Sequence, residues 1–283
     1  MLEVVEVILD SLKDTGKILP ILFLTYLLME YLEHHAGGRL AGSLQRSRGA
    51  GPVLGALVGL LPQCGFSGAA SSFYAAGTIT AGTLLAVFLS TSDEMLPIFL
   101  SAQVPGTKIL LILGIKLFCG VLVGCLVDLV LGKRSRDRNI HTFCQQEHCS
   151  CEGGILRSAV VHTVKIIVLI FVVTTALNVA FLYLPREAIA SVWKLPVVGE
   201  LAAAVIGLFP NCAASVTISN LYLEGLMGPG PMLAGLLVNG GVGLLVLFRV
   251  NRNRKENWSL TAVLLLSGVV LGTVFGRLLA FAL

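Results

Sequence analysis

Charge is what this sequence has least of. Only 13% of its 283 residues are Asp, Glu, Lys or Arg, about half of the ~25% usual in a soluble domain. No stretch therefore reads as a separate water-facing domain. The net charge of +4 sits in loops, which excludes a nucleic-acid footprint and suits membrane orientation. Nothing in the sequence resembles a nucleotide-binding motif. Seven cysteines are too dispersed for a secreted disulfide scaffold: four lie in apolar segments and three in one polar loop. The first residues carry Glu3, Glu6, Asp10 and Asp14 and lack the basic flank of a cleaved signal peptide. They read as a short amphipathic helix leading into a first span.

Apolar sequence fills the space that charge leaves. Hydrophobic residues make up 55% of the chain, mean hydropathy is +0.88, and 31 residues are glycine. At roughly 20 apolar residues per span the chain has room for about ten spans and little else. Abundant glycine suits transmembrane helices that pack closely.

A repeat organises these spans. Adding 148 to a residue number in the first half lands on its counterpart in the second. GPVLGALVGLLPQCGFSGAASSFYAAG (51–77) and GELAAAVIGLFPNCAASVTISNLYLEG (199–225) share ten of 27 positions without a gap. Among them are Pro62/Pro210, Cys64/Cys212, Ser67/Ser215, Ser71/Ser219 and Tyr74/Tyr222. The register extends to Lys17/Lys165 on one side and to Gly120/Gly268 and Gly124/Gly272 on the other. The organisation expected is a first membrane repeat (1–131), a cytoplasmic Cys/His linker (132–157) and a second membrane repeat (158–283).

Each repeat reads as five apolar segments, in the first half about 16–33, 50–61, 66–78, 80–100 and 108–131. The second and third meet at Pro62-Gln63-Cys64-Gly65, where proline removes a donor and glycine weakens the helix. The same break is expected at Pro210. The two pieces are either tilted spans or the arms of a re-entrant hairpin. Five segments per repeat would set the two copies in opposite orientations. Loop charge agrees, because the basic member of each loop pair alternates. Residues 39–48 hold Arg39, Arg46 and Arg48, against Glu187 and Lys194 at 187–196. Residues 101–108 hold only Lys108, against Arg249, Arg252, Arg254, Lys255 and Glu256 at 249–256. The fold class expected is thus an all-α polytopic membrane protein of two inverted five-segment repeats. The linker lies inside, both termini lie outside, and the host is the cytoplasmic (inner) membrane.

The breaks are the candidate site. Freed backbone groups are tolerated in a membrane only where they are buried in protein or line a wet cavity. Around them stand Gln63, Cys64, Ser67 and Ser71 in one half and Asn211, Cys212, Ser215, Ser219 and Asn220 in the other. Small residues that let helices pack closely are the plainer reading of the serines. Asp93 and Glu94 lie within an apolar stretch, STSDEMLPIF, and are replaced by Gly241 and Val242 in the second half. A carboxylate inside a membrane is costly and marks function, unless the segment is simply a wet loop. Lys116 is expected to pair with one of these acids or to snorkel. The linker HTFCQQEHCSCE offers Cys144, His148, Cys149 and Cys151, soft ligands for an accessory metal site.

These motifs resemble a known family. LPQCGFSGAAS with STSDEMLPI, and GLFPNCAAS with LVNGG, are similar to those of the ten-span heavy-metal exporters, described variously as arsenic efflux proteins or manganese transporters. The resemblance covers nearly the whole chain and implies export of a cation or metalloid from the cytoplasm. Manganese or another divalent metal would use oxygen ligands, with Asp93 and Glu94 foremost. Arsenite or an organoarsenical would need the thiols of Cys64 and Cys212. The acids tip the reading toward a divalent cation, with protons as candidate coupling ions and no resident cofactor required. A membrane thiol redox enzyme built on Cys64 and Cys212 is the alternative of another class. Against it, neither cysteine has a His or second Cys within its motif to lower its pKa.

Overall fold

The computed structural model describes residues 50–62, 65–92, 94–131, 197–210 and 212–282, with scattered positions between 8 and 27 and between 156 and 193. The described residues form helices and their connecting turns, with no strand. In the first half the helices are α1 (Gly51–Gly59), α2 (Gly65–Ala75), α3 (Ala81–Ser90), α4 (Met95–Ser101) and α5 (Gly106–Val130). In the second they are α6 (Val198–Gly207), α7 (Cys212–Leu223), α8 (Pro229–Val238), α9 (Gly243–Val250) and α10 (Arg254–Ala282). Each second-half helix begins within one residue of its first-half partner plus 148. The helix starts therefore keep the 148-residue offset seen in the sequence.

Local chemistry explains the interruptions. The helices on either side of Pro62 and Pro210 stop short of these prolines and restart after them, as the missing amide requires. At 9 to 12 residues and about 1.5 Å per residue, none of these four pieces crosses ~30 Å of hydrocarbon alone. The segment 80–100, expected as one span, is broken as well. Ser90 and Thr91 turn their hydroxyls back onto the Ala86 and Val87 carbonyls. That competes with the helix ladder, and Thr91 leaves the helix at φ −53°, ψ 122°. The equivalent break in the second half uses different residues. Asn239 accepts the Gly241 amide on its side chain at 3.1 Å, and Gly241 takes φ +54°, which glycine adopts at no steric cost.

Among the described residues, four segments are long and apolar enough to cross a membrane: Ala81–Ser101, Gly106–Val130, Pro229–Val250 and Arg254–Leu279. The first and third contain the second pair of breaks. Over an apolar 18-residue stretch of each, the broken segments are 71% and 89% buried, against 39% and 28% for the two continuous helices. The broken spans thus form the centre, and α5 and α10 lie outside them. Leu110, Leu126, Leu129, Leu266 and Val270 face outward from α5 and α10, an apolar coat suited to lipid. Within each half, α3 packs between α1 and α5, and α8 packs between α6 and α10. Across the halves, α2 lies on α9, α7 lies on α4, and α3 meets α8. Phe99 of α4 stacks on Tyr222 of α7 with ring centres 5.9 Å apart.

Candidate functional site

The turn before Pro62 and the 91–94 and 239–242 breaks lie close to one another. The Ser92 hydroxyl donates to the Leu60 carbonyl at 2.7 Å. That bond ties the Thr91–Glu94 break to the last turn before Pro62. From the other side of Pro62, α2 runs onto the opposite half. Ser71 donates to the Gly243 carbonyl at 2.7 Å and to the Ser67 carbonyl at 3.0 Å. Gly243 is the first residue of α9, just past the Asn239–Val242 break. A Cβ there would lie 2.6 Å from the Phe88 ring and 2.8 Å from Ser67, so the approach requires glycine. Phe88, two residues before the end of α3, also covers Gly240.

The expected site serines are thus brought into the core. Ser67 and Ser71 are buried on α2, and Ser215 and Ser219 are buried on α7. Their environments differ. Ser71 has two carbonyl acceptors, whereas the Ser219 hydroxyl, fully buried, has no hydrogen-bond partner. Position 95, the counterpart of Gly243, is a buried methionine. A methionine cannot make the Cβ-free backbone approach that Gly243 makes to Ser67 and Phe88. Glu94 is half-buried at the N-cap of α4. Gln63, Cys64, Asp93 and Asn211 lie outside the described residues, as does the side chain of Cys212. Cys144, His148, Cys149 and Cys151 of the linker do too. Among the described residues, no three His, Cys, Asp or Glu side chains gather into a metal-holding group.

Of the two expectations for Lys116, snorkelling is overturned: the side chain is completely buried in the middle of α5, and its ammonium donates to the Leu236 carbonyl at 2.7 Å. Leu236 belongs to the last turn of α8. The amide that would continue the ladder to it, that of Gly240, bonds to the Val238 carbonyl instead. The ammonium thus satisfies a carbonyl that the break orphans. Three other residues of this centre were not singled out from the sequence: Ser92, Asn239 and Phe88. For Ser92 and Asn239 a signal existed, since a Ser-Thr-Ser run and an Asn-Gly-Gly run each interrupt an apolar stretch. For Phe88, one apolar residue among many, none did.

A family model described as "Putative, 10TM heavy-metal exporter" matches residues 3–196. No curated protein and no solved structure matches the chain.

Proposed function

The chain belongs to this family of 10TM heavy-metal exporters, and from that premise we propose that it exports a divalent metal cation, manganese foremost, through a midplane site between two inverted repeats. It is a multi-pass membrane protein, and a transporter reading leaves no catalytic step to assign. The observation that carries the proposal is the meeting of broken spans from both halves. The Thr91–Glu94 break is tied to the turn before Pro62, and Gly243 of the other broken span packs on Ser67 and Ser71. Broken helices of this kind expose carbonyls and amides that replace an ion's hydration shell. Asp93 and Glu94 add negative charge at one break, which attracts a cation and disfavours an anion. Gln63, Ser67, Ser71, Asn211, Ser215 and Ser219 supply neutral oxygen ligands of the kind manganese prefers.

The rest of the arrangement follows the loop charges. The linker 132–157 faces the cytoplasm, where Cys144, His148, Cys149 and Cys151 form an accessory metal-collecting site. Both termini face outside the cytoplasmic membrane. Nothing in the sequence resembles a nucleotide-binding motif, and a proton gradient or the solute's own gradient drives export.

Metal accumulation in cells lacking the protein tests this reading. They are compared with cells carrying it, its Asp93→Asn/Glu94→Gln form, or its Cys64→Ser/Cys212→Ser form. Wild type should lower cellular manganese, the cysteine pair should still do so, and the carboxylate pair should not. Arsenical resistance that disappears with the cysteines would replace the cation reading with a thiol-based permease. Unchanged levels of every metal in wild-type cells would end the exporter reading.

A further inference from the structure

The transport reading leaves one central group without a role. Lys116 is the only basic side chain buried among the described residues, and an ionisable group at that depth in a membrane protein is costly and rarely incidental. Its position in the duplicated frame is informative. The counterpart of Lys116 is Leu264, which is also completely buried. An apolar side chain therefore fills the equivalent place in the second half, and packing of this framework does not demand an ammonium. Asp93 and Glu94 break the repeat in the same way, standing where the second half of the sequence has Gly241 and Val242. All three charges belong to the first half, and α5 packs against both α3 and α4, the helices flanking the two acids.

The ammonium nevertheless binds the second half. It reaches the carbonyl end of α8, where the helix macrodipole and an orphaned carbonyl favour positive charge. Carbonyl ends of interrupted helices are where such proteins hold cations. One such end, that of α8, is thus already occupied by a cation that the chain itself supplies. A solute cation arriving at the breaks would meet this ammonium in a medium of low dielectric, where like charges repel strongly.

Resting on the cation-transport reading above, we propose that Lys116 is the resident counter-cation of the site: its ammonium holds the Leu236 carbonyl while the cavity is empty and is displaced when the solute cation binds. Competition of this kind weakens binding and speeds release. Removing the charge should tighten the site and slow the cycle.

The test uses full-length protein in detergent and in liposomes, with Mn²⁺ as the probe. Lys116→Met removes the ammonium. Lys116→Gln keeps a donor for the Leu236 carbonyl without charge, and it serves if the methionine form does not fold. Mn²⁺ affinity should rise at least about tenfold in the uncharged variants, while the Mn²⁺ flux at saturation falls several-fold. A purely structural lysine would lower thermal stability without tightening the ion. A folded Lys116→Gln protein with wild-type Mn²⁺ affinity and flux would overturn the proposal. Wild-type protein that binds no Mn²⁺ would instead remove the transport reading beneath it, so the two failures are distinguishable.

Discussion

At its first broken span the chain reads Thr91-Ser92-Asp93-Glu94; at the second, 148 residues on, it reads Asn239-Gly240-Gly241-Val242. Both sequences stop a helix at the same place and restart it at the same place, yet by different means. Hydroxyls bonding back to carbonyls end α3. An asparagine side chain and a left-handed glycine end α8. The backbone interruption is thus what both halves keep, and the acids are what one half adds. The same division holds elsewhere, with Lys116 against Leu264 and Met95 against Gly243. A duplicated scaffold fixes where the breaks fall, and substitutions within it decide which break carries charge and which packs tightly.

If the halves share one scaffold, equivalent close contacts should fail together, and in a predictable order. A Cβ on Gly207 would fall 2.2 Å from the Gly235 carbonyl oxygen, a backbone atom that cannot step aside. A Cβ on its counterpart Gly59 would meet the Ser90 hydroxyl at 2.1 Å, which can rotate, and the Val87 carbonyl at 2.6 Å. Overpacking against backbone sits at the upper end of the usual range, so Gly207→Ala should cost about 3 kcal/mol and Gly59→Ala about 1–2 kcal/mol. Thermal unfolding in detergent reads both. A Gly59 variant less stable than the Gly207 variant would overturn this order.

The scaffold was largely legible in the sequence because its signals are local or periodic. Proline at 62 and 210, glycine at the helix crossings, and a fixed offset survive in composition and spacing. The second pair of breaks was not legible as such. In an apolar run the hydrophobicity that marks a span hides an interruption of two or three residues. Placing Ser67, Ser71, Ser215 and Ser219 in the core was within reach, because four-residue spacing sets each pair on one helix face. The Lys116–Leu236 contact was not, since it joins residues 120 positions apart and depends on an amide that the break diverts.

The helix starts of the broken spans give a sharper comparison. At the start of α3, Asp128 of α5 accepts from the Thr80 hydroxyl at 2.7 Å and from the Gly82 amide at 2.9 Å. At the start of α8 the counterpart of Asp128 is Gly276, which lies against Gly230 so closely that a Cβ would come within 2.2 Å. Helix α10 leaves no room for an acid there. Glu200 of α6 takes its place, with Oε1 beside Gly230 and Oε2 buried without a partner. One acid is thus fully used and the other only partly. Asp128→Ala should leave the buried Gly82 amide without its acceptor, while the Thr80 hydroxyl can turn to Thr83, and cost about 1–3 kcal/mol. Glu200→Gln should change stability by less than about 1 kcal/mol, since the helix-end attraction it loses is of that size. Equal losses in paired unfolding measurements would mean that Glu200 has acceptors comparable to those of Asp128.

The smallest expected effect separates stability from transport at the paired serines. Ser71 holds the Gly243 carbonyl of the opposite half. Ser71→Ala removes that hydrogen bond and should cost about 1 kcal/mol. Ser219 is equally buried, but its hydroxyl bonds to nothing. Ser219→Ala removes an unsatisfied polar atom, so stability should stay the same or rise slightly. If the Ser219 hydroxyl is kept as an oxygen ligand for the solute, Mn²⁺ flux should nonetheless fall in this variant, by a few-fold for one neutral ligand among several. Flux in liposomes and unfolding in detergent, measured on the same preparations, distinguish the cases. Lost stability with normal flux would make Ser219 a packing residue like its partner. Normal stability with reduced flux would place the solute path on the α4–α7 side, where Met95 stands in for Gly243 and the helices are not hydrogen-bonded through this serine.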